Sequence, residues 1–413
     1  MSTVVTLPRA LRPAWVEVDL AAIRANARLL AGLVAPARLC AVVKADAYGH
    51  GAPEVAAAAL DGGATTVAVA LVEEGIALRE SGCASEVLLL SEPTARAMGE
   101  AVAHGLTPTL YRLDGVVAAQ SAAAASGRVV GVQLKVDTGM HRVGADPAAV
   151  LEVARAVAEA RGLVQTGLWT HFAVAEALDD PFTAEQLDGL DGTRRALIGA
   201  GIAPGVVHAA NSAGALVHRA ARLDLVRCGI ALYGHLPSPL LADAVAKELG
   251  SGRALVPALE WKAQIHLVRR LDAGERISYG RAYGLERASY VGVVPVGYHD
   301  GVPRAYGRSG GEVLVRGRRR PIAGAVTMDQ LMVDLGDDAS VQVGDEVVLV
   351  GRQGAEQVTV SEWADRLGTI CHEVLCGIGP RVPRRYVDSG IDHRAADDDP
   401  DEARTGSPAS PWR

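Results

Sequence analysis

Lysine is nearly absent from this chain. Of its 41 lysines and arginines, only Lys44, Lys135, Lys247 and Lys262 are lysines. Arginine serves well as a surface cation but cannot form a Schiff base at ordinary pH, whereas a desolvated lysine can. In such a chain, a lysine that closes an apolar run is a candidate for chemistry. Cysteine is sparse as well. The five cysteines (Cys40, Cys83, Cys228, Cys371 and Cys376) are odd in number and form no CxxC pair. That argues against a disulfide framework and against a zinc site, and no metal is expected. No apolar run approaches the length of a membrane-spanning helix, and the segment from Met1 to Trp15 lacks the apolar core of a signal peptide. The cytoplasm is therefore the expected location. Charge is not strongly unbalanced either. A net charge of -7 and a pI near 5.9 give no reason to expect nucleic acid or an anionic membrane as a partner.

What the chain does have is length and alternation. Its 413 residues suffice for two domains with full cores. Residues 15–19 alternate like a short strand, and 20–33 carry helical spacing behind Asp19 as a cap. Eight apolar, strand-like runs occur at 39–44, 65–70, 87–91, 107–111, 129–137, 164–171, 206–212 and 223–230. Alanine-rich helical patterns lie between them, at 53–60, 73–80, 94–103, 147–160 and 183–200. Eight alternating units predict an α/β fold, a (β/α)8 TIM-type barrel whose active site forms at the carboxyl ends of the strands. A doubly wound open sheet is the alternative, and it accounts poorly for polar residues at so many strand ends. After a helix and connection at 240–250 the pattern changes. Runs at 258–271, 290–296, 312–316, 320–325, 331–335 and 346–350 read as strands joined by glycine-containing turns, with one helix near 360–367. They predict a smaller, mostly β C-terminal domain. The expected division is a lead-in at 1–14, the barrel at 15–250, the β-rich domain at 251–388 and an acidic, disordered tail at 389–413.

The strand ends carry the functional signal. Lys44 closes the first run and is followed by Tyr48 and a Gly49-His50-Gly51 turn. The fifth run delivers Lys135, Asp137 and, just beyond, Arg142. The sixth ends at His171, the seventh at Asn211 and Ser212, and the eighth carries Arg227 before Gly229. Taken singly, each has a plain reading. Lys44 can snorkel out of a strand, Arg227 can be a surface arginine, His171 a satisfied core histidine and Ser212 a helix cap. Convergence of five ends on one barrel face is hard to reconcile with five such accidents. Ser212 and the backbone of Gly229 and Ile230 also fall after strands seven and eight, the usual phosphate-binding place in this barrel.

With both domains in view, the chain resembles the alanine racemases, fold-type III enzymes that use pyridoxal phosphate. The resemblance runs from about Trp15 to Tyr386 on six motifs in family order. They are VVKADAYGHG at Lys44, LKVDTGMHRVG from Lys135 to Arg142, HAANS ending at Ser212, VRCGIALYG at Arg227, ISYG at Tyr279 and VTMDQ at Met328. It implies pyridoxal 5'-phosphate as cofactor, a small amino acid as substrate, and a homodimer with shared sites that interconverts L- and D-alanine. Lys44 resembles the lysine that holds the cofactor and serves as one base, and Tyr279 the opposing base supplied by the other subunit. Two bases on opposite faces suit a reaction that removes a proton from one face of a carbon and returns one to the other. Tyr48, Ser212, Gly229 and Ile230 resemble the phosphate-binding set. Arg227 resembles the arginine facing the pyridine nitrogen, where a permanent cation disfavours protonation of that nitrogen and weakens the electron sink. By the same resemblance His171 orients Arg227, and Arg142 meets the substrate carboxylate. Lys135, carbamylated in many relatives, positions Arg142. The Met328 amide donates to the substrate carboxylate, and Asp329 and Tyr298 form the entrance.

Two departures from the family pattern stand out. Cys371-His372 replaces a common Asn-Tyr pair whose tyrosine helps bind the phosphate and borders the substrate methyl. His299 follows Tyr298 where a small residue is usual. The first keeps open a racemase of serine or another small amino acid. A cofactor-carrying barrel with a homeostatic role is a different class, opposed by the β domain and Tyr279. Related decarboxylases share both domains but act on larger, doubly charged substrates.

Overall fold

In the computed structural model, which describes residues 11–389, the eight apolar runs become eight parallel strands. After an opening strand β1 (Ala14–Asp19) they are β2 (Arg38–Val42), β3 (Ala64–Val69), β4 (Glu86–Leu89), β5 (Thr109–Leu110), β6 (Val130–Lys135), β7 (Leu163–Trp169), β8 (Val206–His208) and β9 (Leu225–Cys228). Hydrogen bonds join β4, β3, β2 and β9 in one arc and β5 to β8 in another. The arcs meet at a parallel bridge between Leu88 and Thr107 and at bonds from Asp224 N to Val207 O (3.1 Å) and Arg227 N to Ala210 O (3.0 Å). The ring is closed, and the (β/α)8 expectation holds.

Helices cover it because their apolar positions recur at helical spacing. The helix Leu20–Val34 buries Ile23, Ala27, Leu30 and Val34, and the Asp19 carboxylate caps it by accepting from Ala21 N at 2.9 Å. Asn26 lies on the buried face, where its amide donates to Leu232 O and Val256 O and accepts from Val256 N. A buried amide with these partners ties the first helix to the barrel's last turn and to the chain leaving it.

The β-rich unit holds β10 (Leu259–Gln264), β11 (Leu267–Leu271), β12 (Arg276–Ile277), β13 (Tyr283–Gly284), β14 (Ser289–Val294), β15 (Glu312–Val315), β16 (Arg318–Pro321), β17 (Leu331–Gly336), β18 (Glu346–Gln353), β19 (Glu356–Val358) and β20 (Arg384–Val387). Its main sheet runs β16-β15-β18-β10-β1-β20, a second runs β11-β14-β17, and β12 with β13 form a hairpin. Trp261, Trp363 and Tyr306 pack together in its core, the last two stacked with ring centroids 4.1 Å apart and Trp261 tilted against Trp363 at 5.9 Å.

Three expectations need correction. Residues 15–19 do not belong to the barrel: β1 pairs antiparallel with β10 and parallel with β20. A closed ring of eight strands has no edge to offer a ninth, whereas the open sheet has a slot that buries Ala14, Val16 and Val18. The run at 258–271 is two strands in two sheets, separated at Ile265 and His266. The expected tail begins one residue too early, because Ser389 still bonds to the Asp19 carboxylate. Residues 390–413 of that tail lie outside the described residues, as do residues 1–10. No helix of the described residues is long and apolar enough to cross a membrane.

Candidate active site

Lys44 follows β2 at the carboxyl end of the barrel, where the backbone does something rare. Ala45, Asp46, Ala47 and Tyr48 all have φ between 51° and 54° and ψ between 39° and 50°, one turn of left-handed helix. Such a turn costs roughly 1–2 kcal/mol per residue. Its surroundings hold it. Glu74 accepts from Ala45 N at 2.6 Å and from Ala70 N and Leu71 N, the Asp46 carboxylate accepts from Ala52 N, and Arg384 Nε donates to Gly49 O at 2.9 Å. The turn brings the Tyr48 phenol back over the barrel mouth against Gly229. A Cβ on Gly229 would stand 2.3 Å from the Tyr48 hydroxyl oxygen, so only glycine fits there.

A cavity of about 530 Å³ opens at this mouth, lined by Lys44, Tyr48, Lys135, Arg142, His171, Ser212, Arg227, Gly229, Ile230 and His372. The sequence-predicted barrel residues thus share one wall. Burial, and then the nearby Arg142 guanidinium, lower the pKa of the Lys44 ammonium. Ser212 Oγ accepts from Gly229 N at 3.0 Å and from Ala231 N at 3.3 Å, which fixes the hydroxyl and the 229–231 backbone as one cradle.

Arg227 is buried to 3% exposure and almost fully engaged. Nη1 donates to His208 Nδ1 at 2.6 Å. Nη2 donates to Thr170 O at 2.8 Å, Ala209 O at 2.9 Å and His171 Nδ1 at 3.2 Å. Since arginine can only donate, both imidazoles present an unprotonated Nδ1 to it. Burial first and the Arg227 charge second push both histidine pKa values well down, so both rings are neutral. The His208 Nε2–H then donates to Gln133 Oε1 at 2.8 Å. His171 was expected to orient Arg227, and the structure brings it there. His208 makes the shorter contact and was not singled out, although HAANS begins with it. Its signal was a polar residue inside a buried run.

Lys135 lines the same cavity as Arg142. Its Nζ lies 4.4 Å from the Trp169 ring centroid, and the Arg227 guanidinium carbon lies 4.6 Å from the same centroid. Burial, then Arg227 and Arg142, push the Lys135 pKa down to about 7. Burial, and then Lys44, lower the pKa of His372. Its ring lies 5.7 Å from that of Tyr48, and its buried Nδ1 has no hydrogen-bond partner among the described residues.

The other four expected residues lie elsewhere. Tyr279, Met328 and Tyr298 are 72%, 52% and 41% exposed, and with Asp329 they fall outside the cavity lining. They nevertheless stand together on the β-rich unit. Tyr279 follows β12 on a loop with φ positive at Ser278, Gly280 and Arg281, and Ser278 Oγ pins that loop to Ala325 O at 2.6 Å. Tyr298 N donates to Thr327 O at 2.9 Å, and Arg381 holds Asp329 at 2.8 Å.

The donor set fits pyridoxal phosphate. A strand-end lysine of lowered pKa shares one cavity with a cradle of Ser212, Tyr48 and the 229–231 backbone, a buried arginine and the His372 imidazole. Fold and cavity together define a class, the barrel enzymes that hold pyridoxal 5'-phosphate through a lysine at the barrel mouth. Residues 18–237 match the family model described as alanine racemase, N-terminal domain, and residues 258–386 the one described as alanine racemase, C-terminal domain. The alanine racemase of Symbiobacterium thermophilum is 44% identical over 376 residues, 91% of this chain and 97% of that protein. The crystal structure of alanine racemase from D-cycloserine-producing Streptomyces lavendulae superposes with a TM-score of 0.85 at 37% identity, covering 94% of this chain and all of that one. That of Bacillus anthracis with bound L-Ala-P gives 0.86 at 33% identity, covering 93% and 97%. This chain belongs to the alanine racemase family.

Proposed function

We propose that this chain racemises alanine at a site shared between two copies, with Lys44 and Tyr279 as the two bases. The family membership carries the reaction itself, interconversion of L- and D-alanine with pyridoxal 5'-phosphate. The roles of individual residues are our reading of the geometry. When bound, the cofactor withdraws electrons from the substrate α-carbon and acidifies its proton. Lys44 Nζ, desolvated and beside Arg142, takes or returns that proton on one face. The Tyr279 hydroxyl does the same on the opposite face. Tyr48, Ser212 and the backbone of Gly229 and Ile230 bind the phosphate. Arg227, fixed by His171 and His208, stays a cation towards the ring nitrogen and limits the electron withdrawal. Arg142 and the Met328 amide hold the substrate carboxylate, while Tyr298 and Asp329 flank the entrance.

One observation supports the shared site above the others. Lys44 lines the cavity at the barrel mouth, whereas Tyr279, 72% exposed, does not. A second copy presenting its Tyr279 face to the barrel mouth completes both sites at once. The homodimer and its cytoplasmic location belong to this proposal. Three experiments test it. L-alanine incubated in deuterated water should yield D-alanine labelled at the α-carbon, and Lys44→Ala should lose the borohydride-fixable cofactor link. Mixed Lys44→Ala and Tyr279→Ala chains should recover part of the activity, because each heterodimer regains one intact site. No recovery despite demonstrated chain exchange means that each chain builds its site alone.

A further inference from the structure

Asp300 is fully buried, and the chemistry described above makes no use of it. Its carboxylate receives both prongs of Arg12, Nη1 to Oδ2 and Nη2 to Oδ1 at 2.8 Å each. Arg381 Nε donates to Oδ1 and the Gly297 N–H to Oδ2, both at 3.0 Å. Two guanidinium groups and a backbone amide on one dry carboxylate form a strong, geometrically exacting junction.

What the junction joins is informative. Gly297 opens the loop bearing Tyr298, and that loop lies on the strip bearing Met328. His299 N donates to Met328 O at 3.1 Å, and a Cβ on Gly297 would stand 2.4 Å from the same oxygen. Arg381 extends the junction to the other entrance residue, since its Nη2 donates to Asp329 Oδ1 at 2.8 Å. On the far side Gly379 N donates to Asp300 O at 2.9 Å. Gly379 follows the helix Cys371–Cys376, which carries His372 into this chain's own cavity.

We propose that Asp300 is a positioning residue: it fixes Tyr298, Met328 and Asp329, the residues this chain lends to its partner, against the segment that closes its own cavity. It therefore acts on the partner's site rather than on the site of the chain that carries it. This inference rests on the shared-site reading above.

The test separates the two. In the holoenzyme homodimer, Asp300→Asn should lower kcat/KM for alanine by between about ten- and a hundredfold, the cost of a substrate-positioning group displaced by about 1 Å. Most of the loss should fall in KM, and cofactor absorbance should be unchanged. Unaltered kinetics, or lost cofactor with unaltered KM, overturns the proposal. If Asp300→Asn does not fold, Arg381→Lys serves instead: it keeps the charge, loses the fork that bridges Asp300 and Asp329, and should raise KM likewise. Two heterodimers, purified through different tags, then locate the action. Asp300→Asn paired with Lys44→Ala has one working site, served by residues from an intact Asp300 chain, and should show the parent KM. A Lys44→Ala, Asp300→Asn double variant paired with the parent chain should show the raised KM. Equal KM values, or the reverse order, overturn the assignment. If Lys44→Ala and Tyr279→Ala chains do not complement each other, the shared site has failed, and the homodimer KM still decides whether Asp300 positions the entrance.

Discussion

Four cationic side chains, Lys44, Lys135, Arg142 and Arg227, line one cavity, and the protein holds two of them over a single indole. Burial first, and this crowding second, shift both lysines downward, and burial lowers Arg227 as well, to about 10, which leaves it charged at neutral pH. Lys135 is the more exposed to consequence. An amine pushed down to about 7 is roughly half unprotonated at neutral pH and available to carbon dioxide. Carbamylation would exchange a cation for an anion beside Arg142. We expect labelled bicarbonate to give a carbamate resonance that is absent from Lys135→Arg and fades as pH falls below 7, where the amine becomes protonated. A resonance that persists in Lys135→Arg refutes the assignment.

His372 sets a second expectation at this scale. His372 lines the cavity where the family pattern has a tyrosine, and an imidazole is the smaller ring, so a hydroxymethyl substituent has room there. Pockets discriminate against one extra group by only about 1–3 kcal/mol when room exists. Serine should therefore be racemised appreciably, and His372→Tyr should lower the serine-to-alanine ratio of kcat/KM by roughly tenfold or more. An unchanged ratio removes His372 from the control of specificity. Replacing Arg227 by glutamate should add a long-wavelength absorbance on substrate addition while slowing racemisation. A folded variant without that absorbance contradicts the role given to Arg227. The sequence exposed those residues that end strands, because a polar residue after an apolar run is conspicuous. Trp169 and His208 close β7 and β8 in the structure, but the runs read from the sequence continue past them to 171 and 212, so both looked like ordinary core.

Among the elements, the eight barrel strands were legible to within a few residues, since parallel strands buried on both faces read as plain apolar runs. The left-handed turn after Lys44 was legible only as a turn. Its handedness depends on Glu74 and Arg384, which lie far along the chain and carry no local signal. The β12–β13 hairpin and the helix Cys371–Cys376 were missed because each is too short to show a period. Glu74→Gln tests the turn. Its carboxylate accepts three backbone N–H groups, and weakening them should cost about 1–3 kcal/mol of stability. Thermal unfolding should register that loss, and cofactor affinity should drop with it because Lys44 and Tyr48 sit at either end of the turn. Unchanged cofactor affinity in a destabilised variant would separate the turn from the site.

For the whole molecule, β1 matters more than its six residues suggest. It fills the slot between β10 and β20, so the barrel is an insertion between the first strand of the β-rich unit and the rest of it. The β-rich unit starting at residue 251 should then fail to fold alone, and should become soluble and cooperative once residues 11–19 are fused to it. A stable 251–389 fragment without them would show that the slot closes unaided. The same arrangement sets the timing of biosynthesis. β1 leaves the ribosome before the barrel, yet its neighbours in the sheet are made only after the entire barrel. The barrel can mature during translation, whereas the first strand must wait as an open, apolar edge until β10 and β20 have been made, a period in which it is exposed to wrong pairings. Synthesis speed and chaperone access should govern the yield of active protein more than the stability of the finished fold.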